Sequence, residues 1–216
     1  VQSRSDAAER LRRAQGVMHA VMSGVDNTLA VAALLGQGGQ GGSAQPAAPL
    51  ETDVDIDMLL AVAVADMPLA ERDRVRIERI TDTRTASMDL GLLRLALRNL
   101  LANALRYSPA GSAVTLRVSD SDEPLALVLD VIDCGPGIQP ELLPRLFERG
   151  ARGRNASGRA SHGLGLYIVR RALELQGGRA ELVATSAAGT TMRLWIAQAG
   201  EGPLPVQSVV SGARNQ

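Results

Sequence analysis

Two asparagines four residues apart, Asn99 and Asn103, interrupt a stretch otherwise built mainly from Leu and Ala. Residues i and i+4 of a helix share a face, and burying two carboxamides there costs about 2–7 kcal/mol per group unless a partner satisfies it. A hydrated Mg²⁺ ion is one such partner, because it takes oxygen ligands and keeps most of its waters while a substrate's phosphates complete its shell. A pair of helix asparagines bonded to neighbouring backbone is the alternative. Further on, Asp133-Cys-Gly135-Pro-Gly137 follows an apolar run at 125–132. A carboxylate emerging at a strand end can accept a hydrogen bond from an adenine amino group, and Gly135 and Gly137 allow backbone to approach a ring closely. An ordinary Asp-Gly turn reads the same way. Gly163-Leu164-Gly165-Leu166 opens a helical pattern whose first N–H groups could bind phosphate, or it is a plain glycine turn. Phe147-Glu-Arg149-Gly150 leads into a loop over 150–162 with Arg152, Arg154, Arg159, Gly153 and Gly158, a basic, mobile lid suited to a triphosphate. Only Arg149 and Arg152 are assigned contacts. Taken in this order and spacing, the four pieces spell an ATP site.

The elements that must carry these residues follow from periodicity. Residues 6–35 place Leu11, Ala14, Met18, Val21, Met22, Val25, Leu29, Ala32 and Leu35 at three- and four-residue steps, which predicts a long amphipathic helix. Residues 37–49 have flexible-linker composition. Residues 53–65 read as a helix, 74–80 as a strand, and 89–106 as a helix apolar on nearly every side and ended by Ser108-Pro-Ala-Gly111. Strands are predicted over 113–118, 125–132, 180–184 and 190–197, with a helix over 164–175 closed by Gly177-Gly178. Residues 199–216 lack periodicity and read as a disordered tail. The domains are thus 1–36, a helix needing a partner, the linker 37–49, a mixed α/β domain over 50–198, and the tail.

Composition narrows the classes. With 216 residues, 45% of them apolar, the chain can bury a core. Its four aromatics are Tyr107, Phe147, Tyr167 and Trp195, so that core must be aliphatic. Equal numbers of basic and acidic residues, 23 of each, offer no electrostatic reason for a nucleic-acid partner. The single cysteine, Cys134, excludes an internal disulfide framework and fits a reducing compartment. No run approaches the roughly 20 apolar residues of a membrane span, and residues 1–13 are too charged for a signal peptide. Beginning at Val1 rather than Met, the chain reads as a fragment of something larger.

The four motifs resemble those of the catalytic and ATP-binding domain of bacterial sensor histidine kinases, which share a nucleotide fold with DNA gyrase and heat-shock chaperone ATPases. Asn99-Leu-Leu-Ala-Asn103-Ala-Leu-Arg106-Tyr107 resembles the N box, Asp133 to Ile138 the first glycine box, Leu146 to Gly150 the F box, and Gly163 to Leu166 the second glycine box. The resemblance covers roughly residues 50–197. It implies a two-layer α/β sandwich, with a mixed, largely antiparallel sheet and helices on one face, preceded by the amphipathic helix. It also implies that Asn103 ligates Mg²⁺ with Asn99 assisting, that Asp133 reads adenine, and that Tyr107 flanks the ring. Arg106, Arg149 and Arg152 would face the phosphates, with Gly135, Gly137, Ile138, Phe147, Gly163, Leu164, Gly165 and Leu166 completing the nucleotide site. The implied activity is transfer of the γ-phosphoryl group to a histidine imidazole within a homodimer, for relay to a response-regulator receiver domain.

One departure stands out. His19 is followed by Ala-Val-Met, not by the acidic residue and Arg-Thr-Pro of a phosphoacceptor, and is read as an ordinary helix residue. The helix over 6–35 instead resembles the second helix of the dimerisation hairpin, which places the acceptor upstream of Val1, along with any membrane-spanning part of what would be the cytoplasmic portion of an inner-membrane sensor. His162 replaces the small residue usual before the second glycine box and either touches phosphate or is solvated. Two other functions remain open on these motifs: a serine kinase of the anti-sigma-factor type, and an ATP-sensing scaffold without transfer.

Overall fold

The computed structural model describes residues 50–152 and 163–198. The expected helix over 6–35 with His19, the linker over 37–49, the tail, and Arg154, Arg159 and His162 lie outside the described residues. A small antiparallel sheet pairs β1 (Thr52–Asp55) with β3 (Thr85–Met88). The main sheet has the order β2-β4-β5-β7-β6, formed by Val75–Arg79, Val114–Asp122, Leu125–Asp133, Gly189–Ala197 and Arg179–Ser186 respectively. β2 runs parallel to β4 and every other neighbour is antiparallel, so the sheet is mixed and largely antiparallel as expected. Helices α1 (Ile56–Ala65), α2 (Leu90–Tyr107) and α3 (Gly165–Leu175) supply the second layer, and single 3₁₀ segments occupy Leu69–Arg74 and Pro140–Arg145.

Alternation in the strands sets the interface between the layers. Val114, Leu116 and Val118 of β4, Leu127, Leu129 and Val131 of β5, and Met192, Leu194 and Ile196 of β7 join one core with Leu93, Leu97, Leu100 and Leu101 of α2 and with Val169, Ala172 and Leu173 of α3. The core is aliphatic, as composition requires, and its single aromatic among the described residues is Phe147. β5 reads as a nearly continuous apolar run, broken by Asp130, because both its faces are covered. Ala126 and Val128, on the face away from the helices, pack under Trp195, over whose ring the Arg179 guanidinium stacks at 4.4 Å.

The expectation of a helix beginning at residue 53 is corrected by one turn. Asp55 is extended and its carboxylate accepts the Met58 N–H at 2.8 Å, so it caps the helix and Ile56 begins it. The cap and the three residues before it form β1, where Val54 is buried and pairs with Ala86. Local periodicity could not show this, because the partner strand lies some thirty residues downstream. The same capping geometry recurs at Asp89, which accepts the Leu92 N–H at 3.0 Å and starts α2.

Leu101 is fully buried on α2, whereas Arg94 forms an ion pair with Asp66 at the rim. In urea unfolding, Leu101→Ala lowers stability by about 2–5 kcal/mol through lost burial and a cavity, and Arg94→Ala by no more than about 1 kcal/mol.

Candidate functional site

The site is assembled around α2. Asn99 and Asn103 stand on the face of α2 that meets the start of α3. A Cβ added at Gly165, the first residue of α3, would lie 3.3 Å from both Asn99 Oδ1 and Asn103 Nδ2. A side chain here would crowd both carboxamides, so glycine suits this close approach of the helix start. Asn99 is buried, and its Nδ2 donates to the Leu95 carbonyl at 2.9 Å, so the backbone-bonded alternative holds for its amino group while its oxygen faces Gly165. The Asn103 carboxamide makes no hydrogen bond among the described residues. Among the described residues no side chain caps the start of α3 after Leu164, so none of them occupies the first-turn N–H groups that could meet an anion.

The other end of α2 carries Arg106 and Tyr107, both exposed. The turn after α2 is held by Arg74, whose guanidinium donates to the carbonyls of Pro109 at 3.0 Å and Ser112 at 2.9 Å. This turn supports the Asp133 loop directly. Ser108 Oγ accepts the Cys134 N–H at 3.3 Å, and the Tyr107 carbonyl oxygen lies 3.2 Å from where a Cβ of Gly135 would be. Eight residues separate Asn99 from Tyr107, so α2 spans about 12 Å between the two halves of the site.

Asp133 ends β5. Its Oδ1 accepts the Gly135 N–H at 2.7 Å and the Thr190 N–H at 3.2 Å, while Oδ2 has no partner among the described residues. Burial raises its pKa above the ordinary aspartate value of 3.8, against the two backbone hydrogen bonds that favour the ionised form. The loop then presses onto β6: Gly137 has φ +77°, a Cβ there would fall 2.3 Å from the Ser186 carbonyl oxygen, and the Ile138 N–H donates to Thr185 Oγ1 at 2.8 Å.

Arg149 and Arg152 are exposed and form no ion pair among the described residues. Phe147 is buried in the core with Leu146, where it anchors the segment leading to Arg149. Leu164, Leu166 and Ile138 are half-buried, the latter two against the core. The Gly150 N–H donates to the Gly163 carbonyl at 2.9 Å, and a Cβ on Gly163 (φ +63°) would meet Gly150 at 2.7 Å, so the chain is pinched shut at these two glycines. Of the sequence-derived residues, Asn99, Asn103 and Gly165 thus meet on one side of α2, and Asp133 and Gly135 meet the Tyr107 main chain at its C-terminal end. Sequence reasoning missed Ser108, Thr185, Gly189 and Thr190. Thr190 reaches Asp133 only because β5 and β7 pair Asp133 with Thr190, 57 residues apart.

Among the described residues no cluster of three or more His, Cys, Asp or Glu could hold a metal ion. An all-protein metal cage is therefore not what the described part of the site offers. Two carboxamides beside an uncapped helix start fit a cation that brings its own waters and an anionic ligand.

Residues 88–200 match the family described as histidine kinase-, DNA gyrase B-, and HSP90-like ATPase. The chain is 37% identical over 151 residues to the sensor-like histidine kinase SenX3 of Mycobacterium tuberculosis, covering 68% of this chain and 36% of that protein. It therefore spans about a third of that relative's length. Among solved structures, full-length ShkA in complex with AMPPNP aligns with a TM-score of 0.65 at 27% identity, over 91% of this chain and 40% of that one. The mycobacterial sensor histidine kinase MprB aligns with a TM-score of 0.56 at 27% identity, over 71% of this chain and all of that one.

Because burial disfavours its charge, ionised Asp133 weakens the fold at neutral pH. That penalty is absent below 3.8 and fully present above the raised folded value. Asp133→Asn keeps an oxygen for the two N–H donors but removes the charge and puts an NH₂ group where the unpartnered Oδ2 stood. At pH 7 it melts at the same or a higher temperature than wild type in a thermal scan, while calorimetry shows ATP affinity lower by about 10- to 100-fold.

Proposed function

Because the chain belongs to the family of histidine kinase-, DNA gyrase B-, and HSP90-like ATPases, and so carries an ATP-binding fold, we propose that it is the catalytic core of a two-component sensor histidine kinase. The observation that carries this reading is the meeting of Asn99 and Asn103 with the uncapped start of α3 at Gly165. Asp133 receives the adenine amino group through Oδ2, with Gly135 and Gly137 beneath the ring and Tyr107 beside it. The triphosphate runs along α2 toward Gly163, Leu164, Gly165 and Leu166, where backbone N–H groups and Arg106, Arg149 and Arg152 meet its charge.

Asn103, assisted by Asn99, would hold Mg²⁺, which when bound neutralises charge on the phosphate oxygens. The chain's own residues position and polarise. The helix α3 dipole and Arg149 face the γ-phosphoryl group as an imidazole nitrogen forms a bond to phosphorus and the bond to the β,γ-bridging oxygen breaks, so that ADP leaves. The imidazole belongs to a dimerisation hairpin, and the phosphoryl group passes on to a response-regulator receiver domain. The names of SenX3 and MprB as sensor histidine kinases support this assignment. No described helix is long and apolar enough to cross a membrane. We place this core on the cytoplasmic side of a sensor whose anchor lies elsewhere in the full protein.

Two measurements test the reading. Asn103→Ala, checked by circular dichroism for an intact fold, loses at least tenfold in Mg²⁺-dependent ATP affinity, roughly 1.4 kcal/mol, and unchanged binding would refute the ligand assignment. With γ-labelled ATP the chain labels itself poorly, while a dimerisation hairpin supplied in trans gains label that acid removes. Acid-stable label on serine, or strong acid-labile label on His19, would overturn the transfer proposed here.

A further inference from the structure

We infer that Thr185, on β6 and outside the four motifs, is a positioning residue for the adenine end of the site, an inference that rests on the ATP-binding reading above. Its hydroxyl oxygen accepts the Ile138 N–H at 2.8 Å, and the same oxygen lies 3.1 Å from where a Cβ of Gly137 would be. Thr185 is therefore in contact with the C-terminal half of the Asp133–Ile138 loop. On its other side Thr185 Oγ1 lies 3.4 Å from Thr190 Oγ1, and the Thr190 N–H donates to Asp133 Oδ1. The Thr185 hydroxyl thus ties the Ile138 end of the loop to β6 and adjoins Thr190, whose main chain ties the Asp133 end to β7, because β6 and β7 pair Thr185 with Thr190 while β7 and β5 pair Thr190 with Asp133.

Either hydroxyl of the Thr185–Thr190 pair could be the donor. Thr185 Oγ1 is committed as an acceptor to Ile138, and its own single proton can be given to Thr190. A β-branched side chain holds its oxygen in one preferred rotamer, which an unbranched hydroxyl does less firmly. Gly137, with φ +77° and no room for a Cβ against Ser186, lets the loop lie flat on the strand, and Thr185 fixes where it lies. The height of the Gly135–Gly137 backbone relative to the Asp133 carboxylate is consequently set from below, by a residue that need not touch the nucleotide.

Thr185→Val keeps shape and removes the acceptor, and Thr185→Ser keeps the acceptor. Adenosine, ADP and ATP binding is measured by calorimetry on the whole chain, alongside urea unfolding without nucleotide. Thr185→Val is expected to weaken all three ligands by the same factor, about tenfold, the effect of one lost hydrogen bond. Thr185→Ser restores affinity to within about threefold of wild type, and once ATP is saturating, transfer to a supplied hairpin is unchanged in Thr185→Val. Unaltered affinities in Thr185→Val, whether or not its stability falls, would overturn the inference, as would a loss confined to ATP. Wild type that binds no adenine ligand would remove both this inference and the reading beneath it. Wild type that binds but transfers to no histidine would remove the kinase assignment alone.

Discussion

Helix α2 has to be two things at once. Its residues Leu93, Leu97, Leu100 and Leu101 form the main helical wall of the core and are almost wholly buried, so the helix cannot rotate or slide without opening that core. The same helix presents Asn99 and Asn103 to the start of α3. The absent side chain at Gly165 allows the approach, since a Cβ there would crowd both carboxamides at 3.3 Å. Packing of the aliphatic core therefore determines where two polar groups stand. Their geometry does not depend on a flexible loop, which suits a site that must hold a highly charged ligand in one register.

The opposite end of the site is built from strand ends. Asp133 closes β5, and Gly189 opens β7 beside it with φ +146°, at a position where a Cβ would fall 2.0 Å from the Asp133 carbonyl oxygen. The carboxylate is consequently locked between two main-chain donors, Gly135 and Thr190, with one oxygen left for a ligand. Burial of that carboxylate raises its pKa, and the two main-chain donors that favour its ionised form oppose the shift.

Much of this was legible in the residues themselves. The order of the main-sheet strands' segments, the buried character of α2, and the pairing of Asn99 with Asn103 all follow from periodicity, because these elements bury faces whose spacing is written locally. What stayed hidden depends on register between distant segments. β1 reads locally as the first turn of a helix because its partner, β3, is short and lacks a strong alternating pattern. Thr185 and Thr190 were invisible as site residues because Thr is ordinary in a strand, and only the alignment of β6, β7 and β5 brings them to Asp133. Phe147, assigned to the nucleotide from its motif, stands in the core, where a phenyl ring is expected on burial grounds alone.

The far face of the sheet, which no motif touches, still bears on recognition. Asp130 is buried and receives two hydrogen bonds from the Arg193 guanidinium, at 2.7 and 2.8 Å, across the β5–β7 pair. Trp195 lies over Ala126 and Val128 two strand positions further along that face. β5 is thus held on one face by the aliphatic core and on the other by an ion pair and an indole ring, and Asp133 sits three residues from that ion pair. Ordering a carboxylate before the ligand arrives spares the entropy that would otherwise be lost on binding. The constraint also fixes the end of β5, where Asp133 stands: a strand paired on both sides and covered on both faces offers the least freedom at its terminus.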